Sequence, residues 1–197
     1  MRLLLASKSA ARRRMLEAAG VPFALCDAPL DEEAAKAKLR TRKVSARDLA
    51  SGLAALKALS ATAHASDLVL GADQTLERHD GSTLDKPGTY EEALEQLRSL
   101  SGTAHQLHSA VAVAQSGVIA WRHVASARLY VRPLGDGFLR RYLDREYEFI
   151  RHNVGGYRIE GPGVQLFSRI QGSHFTIMGL PLLPLLGYLR DRGVVER

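Results

Sequence analysis

The apolar positions of this chain change period several times, and each change marks an element. Leu3 to Ala6 is a short unbroken apolar run, the pattern of a buried strand, and Ser7-Lys8-Ser9-Ala10-Ala11 makes a turn after it. From Arg12 to Ala19 the positions Met15, Leu16 and Ala19 fall inward at helical spacing, and Gly20 stops the helix. Val21 to Cys26 reads as a second strand. Asp27 to Lys43 passes from acidic to basic without an apolar period and is expected to be mostly loop. Ser45 followed by Asp48 signals a helix start, after which Leu49, Leu53 and Leu56 repeat at helical spacing to about Ala63. Lys57 lies one turn beyond Leu53, at the border of that helix's buried face.

Asp67 to Gly71 predicts a strand that ends in Ala72-Asp73-Gln74, and Asp80-Gly81 is a turn between two further strands. Lys86-Pro87-Gly88 must be loop. Thr89 and Glu92 form a capping box for a helix marked by Tyr90, Ala93, Leu94, Leu97 and Leu100 and ended by Gly102. His105 to Gln115 alternates, with Leu107, Val111 and Val113 on one face, and Ser116-Gly117 joins it to Val118–Trp121 as a hairpin, with another strand following to Val131. Phe138 to Tyr147 has a helical pattern, Gly155-Gly156 opens a glycine-rich strand pair to Ile170, and Leu182 to Arg192 closes the chain as a helix. Strands and helices alternate early while hairpins dominate the middle. This predicts an α/β domain with a mixed, curved sheet rather than a pure Rossmann order.

Composition narrows the class. The 197 residues, 46% hydrophobic and 24% charged, suit one domain over residues 1–197, or two intimate lobes. At this length folding buries about 70% of the extended chain's surface, so the core needs no disulfide. Cys26 is the sole cysteine, which excludes an intrachain bridge and the paired-thiolate zinc spacings and fits a reducing cytoplasm. Leu3–Ala6 is too short and too soon followed by charge for a secretory signal. The apolar stretch Ile170 to Leu189, interrupted by His174, Pro181 and Pro184, is poor material for a membrane span. The formal charge of +6 favours anionic partners, and nucleic acid, a nucleotide, or a solvated basic surface all remain open.

Several chemistries are excluded by missing patterns. There is no Walker-type phosphate loop, no dinucleotide fingerprint at Gly155-Gly156 or Gly161-Pro162-Gly163, and no nucleophile elbow. His105 and His108, three apart in a strand, face opposite sides of a sheet and cannot grip one metal together. The positive signals are electrostatic. Arg12, Arg13 and Arg14 stand near the positive end of a helix, beside the hydroxyls of Ser7 and Ser9. A bound phosphate accounts for that placement, and a solvated basic turn is the other reading. Asp73 stands where open α/β sheets commonly put ligands, but it also fits an ordinary turn. With Lys57, Lys86 and the cluster Asp31-Glu32-Glu33, the chain holds what a metal-dependent phosphoryl site needs: carboxylates for a divalent ion and cations for phosphate oxygens.

The ordered set LLLASKSAARRRMLEAAGVPF, LAALKA, GADQTL, LDKPGTYEEALEQLRSLSGTAHQLHSAVAV and VGGYRIEGPGVQLFSRIQGSHFTIMGLPL resembles the Maf family of nucleotide pyrophosphatases over nearly the whole chain. The resemblance implies an elongated α/β fold with a mixed curved sheet flanked by helices and a central cleft, similar to inosine triphosphate pyrophosphatase. It implies a cytoplasmic house-cleaning hydrolase that converts a nucleoside triphosphate to the monophosphate and pyrophosphate with Mg²⁺ or Mn²⁺. Dimers are common in the family, which is also linked to division arrest and septum formation. Carried over by position, the resemblance assigns catalysis to Asp73, Lys57 and Lys86, substrate binding to Ser7 and Arg12, and the metal to Asp73 and Glu32.

Two further substrate positions are Gln74, where many members have Thr, and Glu160, where they have Gln. Both resemble the subgroup that prefers 7-methyl-GTP. A glutamate accepts from guanine N1–H and its exocyclic amine together and suits a base made cationic by methylation. Read without the resemblance, Glu160 is a surface carboxylate. Ala11 stands where that subgroup carries tryptophan, so a stacking surface is missing and the base stays open. A rival reading is a nonenzymatic nucleic-acid or division-partner protein using Arg12–Arg14 and Arg40–Lys43. Nucleic acid is the weaker partner, because aromatics are only 6% and none interleaves with those basic runs.

Overall fold

The computed structural model describes residues 1–196. In chain order the elements are β1 (Leu3–Ala6), α1 (Ala10–Ala18), β2 (Ala24–Leu25), α2 (Glu32–Thr41), α3 (Ala46–Ser60), β3 (Leu68–Glu77), β4 (Thr83–Leu84), α4 (Tyr90–Leu100), β5 (Ala104–Gln115), β6 (Val118–Val131) and α5 (Asp136–Ile150). A 3-10 helix (Pro162–Leu166), β7 (Phe167–Gln171), α6 (His174–Ile177) and α7 (Leu182–Asp191) complete it. The strands form a seven-stranded mixed sheet in the order β2-β1-β3-β5-β6-β7, with β4 paired to β3. The fold is therefore α/β with an open mixed sheet and helices on its faces, as the pattern predicts. Among the described residues no helix is long and apolar enough to cross a membrane.

The chain divides into two compact units. The first comprises Met1–Gln74, Ser109–Ala125 and the chain from Ser173 onward, and the second comprises Thr75–His108 and Ser126–Gly172. In the first unit β1 runs parallel to both β2 and β3, with Leu5 opposite Leu70 and Ala6 opposite Gly71. Strand alternation then sorts the core into two layers. Leu3, Leu5, Leu68 and Leu70 pack with Met15 and Leu16 of α1 and Leu185 and Leu189 of α7, while Leu4, Ala6 and Val69 pack with Ala50, Ala54 and Ala58 of α3. The alanines let α3 lie close to the sheet. In the second unit α4 packs on α5, with Ala93, Leu94 and Leu97 of the first and Leu139 and Leu143 of the second buried, and β3 turns through Asp80-Gly81 into antiparallel β4.

Local signals explain most boundaries. Ser9, Ser45 and Thr89 each cap a helix by accepting from the backbone N–H three residues on. Glu92 reaches back past the cap to accept from Gly88 N–H at 2.6 Å, which fixes the chain's entry into α4. Ser116 and Gly117, with φ of 51° and 75°, make the primed turn that suits the twist of a two-residue hairpin, and one continuous strand leaves it, through Val131.

Four expectations are corrected. Residues 32–41 are helix α2, not loop. Asp31 caps it, Glu32 and Glu33 occupy its first turn and Lys38 and Arg40 its last, so capping and the helix dipole supply what an apolar stripe does not. The strand expected over Val21–Cys26 is only Ala24–Leu25, both exposed at the sheet edge. Gly155-Gly156 opens no strand pair: residues 151–161 are turns, both glycines have positive φ, and only β7 follows the 3-10 helix. A side chain on Gly155 would strike Leu76, which accounts for a glycine there. Ala19, expected inward, is exposed.

Candidate active site

Asp73 is inside strand β3 rather than beyond its end, and its partner is set by backbone contact. Gly71 lies against α3 so closely that a Cβ would fall 2.2 Å from the Ala54 carbonyl oxygen and 2.6 Å from the Ala58 nitrogen. Residues two apart on a strand share a face, so Asp73 points to the same side as Gly71 and meets Lys57 of α3. Lys57 Nζ donates to Asp73 Oδ1 at 2.5 Å and lies 3.0 Å from Glu32 Oε2, at the first turn of α2. Lys57 is buried, not at a border, being only 7% exposed. An ammonium so deep must be paired, and here one carboxylate from a strand and one from a helix do so. Desolvation offsets much of such a pair's attraction, so the cluster is weak evidence for stability.

Arg12 is drawn to the same region. It is buried. Its Nε donates to the Gly179 carbonyl at 2.8 Å, and its Nη1 donates to the Ala72 carbonyl at 2.9 Å and to Ser7 Oγ at 3.2 Å. Burial lowers its pKa, and the nearby charges of Asp73 and Glu32 oppose that shift. It stays a cation, as arginine does in proteins. Arg13 and Arg14 are exposed, and Arg13 pairs with Glu17 at 3.6 Å. The three arginines therefore diverge, and only Arg12 faces inward.

Gln74 does something the sequence did not suggest. Its side-chain nitrogen donates to Ser109 Oγ at 2.9 Å and approaches the carbonyls of Thr176 and Ile177, each at 3.0 Å. Ser109, fully buried, donates in turn to the Thr176 carbonyl at 2.6 Å. The pair fastens residues 173–180 to the sheet, and that segment supplies the Gly179 carbonyl to Arg12. Gly179 has φ +95°, which suits glycine. Ser109, Thr176 and Gly179 escaped the sequence reading because two of them act through backbone carbonyls.

Ser7, Arg12, Glu32, Lys57, Asp73 and Gln74 thus belong to the first unit. Two carboxylates and two buried cations are gathered beside the N-terminus of α1. Lys86 and Glu160 belong to the second unit, and both are exposed. The loop of Lys86 is braced by Gln96, which donates to the Asp85 carbonyl at 3.0 Å, and by Tyr147, which donates to the Gly88 carbonyl at 3.3 Å. Glu160 lies in the turns before the 3-10 helix. His105 and His108 have separate partners, Tyr157 at 2.7 Å for the first and Ser126 and Glu77 for the second.

The first unit is that of an α/β protein with a largely buried, charge-balanced centre of two cations and two carboxylates. The family described as Maf-like protein matches residues 2–192, and the chain belongs to the Maf family. It is 48% identical to a nucleoside triphosphate pyrophosphatase of Caulobacter vibrioides, over 97% of this chain and 96% of the relative. A nucleoside triphosphate pyrophosphatase of Sphingopyxis alaskensis is 45% identical over the full length of both chains. A 7-methyl-GTP pyrophosphatase of Rhizobium meliloti is 44% identical over 98% of each.

Proposed function

We propose that this protein hydrolyses a nucleoside triphosphate to the monophosphate and pyrophosphate. It is a hydrolase acting on acid anhydrides. The observation that carries the reading is the Lys57 ammonium held between Asp73 and Glu32, next to a buried Arg12, in a member of a family whose relatives bear that activity in their names.

The residues divide the work by charge. Arg12 and Lys57 offset negative charge on phosphate oxygens as it shifts toward the leaving pyrophosphate, and the Ser7 hydroxyl adds a neutral donor. Asp73 accepts a proton from the attacking water. Gln74 and Ser109 hold the segment that orients Arg12. Lys86 is proposed as a further catalytic cation and Glu160 as an acceptor for the base, both on the family resemblance.

A divalent metal fits the donors present. Asp73 and Glu32 are both carboxylates turned toward one cation, the hard oxygen donors that Mg²⁺ or Mn²⁺ prefers. Among the described residues there is no group of three or more acidic, histidine or cysteine ligands, and an ion held by two carboxylates keeps its remaining positions for water and phosphate oxygens. Bound there, the ion would polarise phosphoryl oxygens and lower the pKa of a water.

The test is pyrophosphate release by the purified chain from the canonical triphosphates and 7-methyl-GTP, with Mg²⁺ or Mn²⁺. Release that stops on chelation and returns with the ion is expected. No release from any of these substrates would overturn the proposal. A preference for 7-methyl-GTP that Glu160→Gln removes is the expected sign of the finer specificity.

A further inference from the structure

Three neighbouring strands of the sheet, β3, β5 and β6, each contribute one polar side chain to a second cluster, made of Glu77, His108 and Ser126. His108 Nδ1 lies 2.7 Å from Ser126 Oγ, and its Nε2 lies 3.0 Å from Glu77 Oε2. A carboxylate only accepts, so the ring's proton is on Nε2. Nδ1 is left with a lone pair, and the Ser126 hydroxyl donates to it. The sequence hydroxyl, imidazole, carboxylate is the one in which an acid holds a base in a single tautomer beside a nucleophile.

Burial and charge follow the same order. His108 is 4% exposed and Glu77 half-buried, while Ser126, at the outer end, is open to solvent. Among the described residues Glu77 forms an ion pair with His108 alone, so no lysine or arginine neutralises it. Its charge is therefore free to stabilise the imidazolium that forms when the ring takes the serine's proton. Because each side chain stands on a paired strand, the nucleophile and its base are already oriented before a substrate arrives. Arg128, two residues on from Ser126 and on the same face of β6, is exposed, with its guanidinium 5.5 Å from the centre of the Tyr130 ring. Its positive charge favours the negative oxygen that attack on an ester carbonyl creates.

We propose that Ser126 is a nucleophile, with His108 as its base and Glu77 positioning that base, and that the site cleaves small activated esters. Ser126 Oγ bonds to the carbonyl carbon while its proton passes to His108 Nδ1. The bond from that carbon to the leaving oxygen then breaks, the leaving oxygen takes the proton from Nδ1, and an acyl-serine remains. Water attacks the acyl carbon and gives a proton to Nδ1. The serine oxygen departs with that proton, which restores the hydroxyl and releases the acid. All three residues belong to the second unit, and none is assigned a part in triphosphate hydrolysis.

The experiment treats the full chain with a fluorophosphonate, which loses fluoride as the serine oxygen bonds to its phosphorus, and maps the labelled peptide by mass spectrometry. The variants are Ser126→Ala and Glu77→Gln, the second of which keeps an acceptor for Nε2–H and removes the charge. Expected is labelling at Ser126, slowed at least ~10-fold in Glu77→Gln, and a burst of p-nitrophenolate from p-nitrophenyl acetate that Ser126→Ala abolishes. Melting temperatures and pyrophosphate release should stay at wild-type values in both variants, which separates this site from the hydrolytic centre. An unlabelled Ser126, or a label spread over several serines at equal rates, would overturn the proposal. So would labelling of Glu77→Gln at the wild-type rate, or a burst that Ser126→Ala retains.

Discussion

Arg12 donates from Nε to the carbonyl of Gly179 at 2.8 Å, joining the first helix to a segment 167 positions later. The same guanidinium reaches the Ala72 carbonyl and Ser7 Oγ, so one fork ties together three separate stretches of chain. A lysine offers a single point of donation and cannot serve all three. Arg12→Lys is expected to leave buried carbonyls unpaired and cost about 1–3 kcal/mol. The midpoint of urea unfolding measures this, and a midpoint equal to wild type would show that the fork does not hold the segment.

Asp73→Asn keeps the shape of the side chain but removes its charge and its ability to take a proton. Glu32 remains to pair Lys57. Pyrophosphate release is expected to fall at least ~100-fold, the usual range for losing a positioned base, while far-ultraviolet circular dichroism is unchanged. Wild-type release by the folded variant would remove Asp73 from the chemistry.

Ser109 touches no part of the charged cluster, yet it links Gln74 to the Thr176 carbonyl. Ser109→Ala should cost about 1 kcal/mol of stability for the lost hydroxyl, and a larger KM than wild type with a smaller change in kcat if the segment behind Arg12 loosens. Steady-state kinetics at several substrate concentrations separate these effects, and unaltered KM would confine Ser109 to a packing role.

Gly71→Ala puts a methyl group against the backbone of α3 where no flexible side chain can yield. Overpacking of that kind costs about 3 kcal/mol and should part β3 from α3, separating Lys57 from Asp73. Chemical denaturation and the pyrophosphate assay should fall together. A stable, active alanine variant would contradict the packing described.

Acid sensitivity is expected from the second unit. Burial lowers the pKa of His105 from 6.5 to about 4. The unfolded chain therefore binds the extra proton first. Stability from this group is full above about pH 6.5 and is lost as pH falls toward 4, with a total of roughly 3 kcal/mol. Urea unfolding between pH 4 and pH 7.5 should have a one-proton slope that His105→Gln removes.

The sequence was most legible where one short-range cause acts alone. Capping at Ser45 and Thr89, the turn at Ser116-Gly117 and the apolar runs of β1 and β3 could be read locally. Helix α2 was missed because its support is electrostatic and its residues are all at least partly exposed. The turns after Gly155 are not legible because glycine permits both a strand end and a left-handed turn, and both glycines take the left-handed one. Of the candidate site, Lys57 and Asp73 were legible as residues, but their contact was not. The roles of Gln74 and Ser109 were hidden for a related reason: they act on carbonyls, which every residue carries.

The contact of β3 on α3 at Gly71 has one more consequence. Main chain rests on main chain there, so the spacing between the lysine and the aspartate is fixed by a hard stop rather than by how side chains fill the interior. Substitutions elsewhere in the hydrophobic layers can accumulate and be absorbed by small repackings without altering that spacing. The geometry of the charged centre is in this way insulated from drift in the core around it.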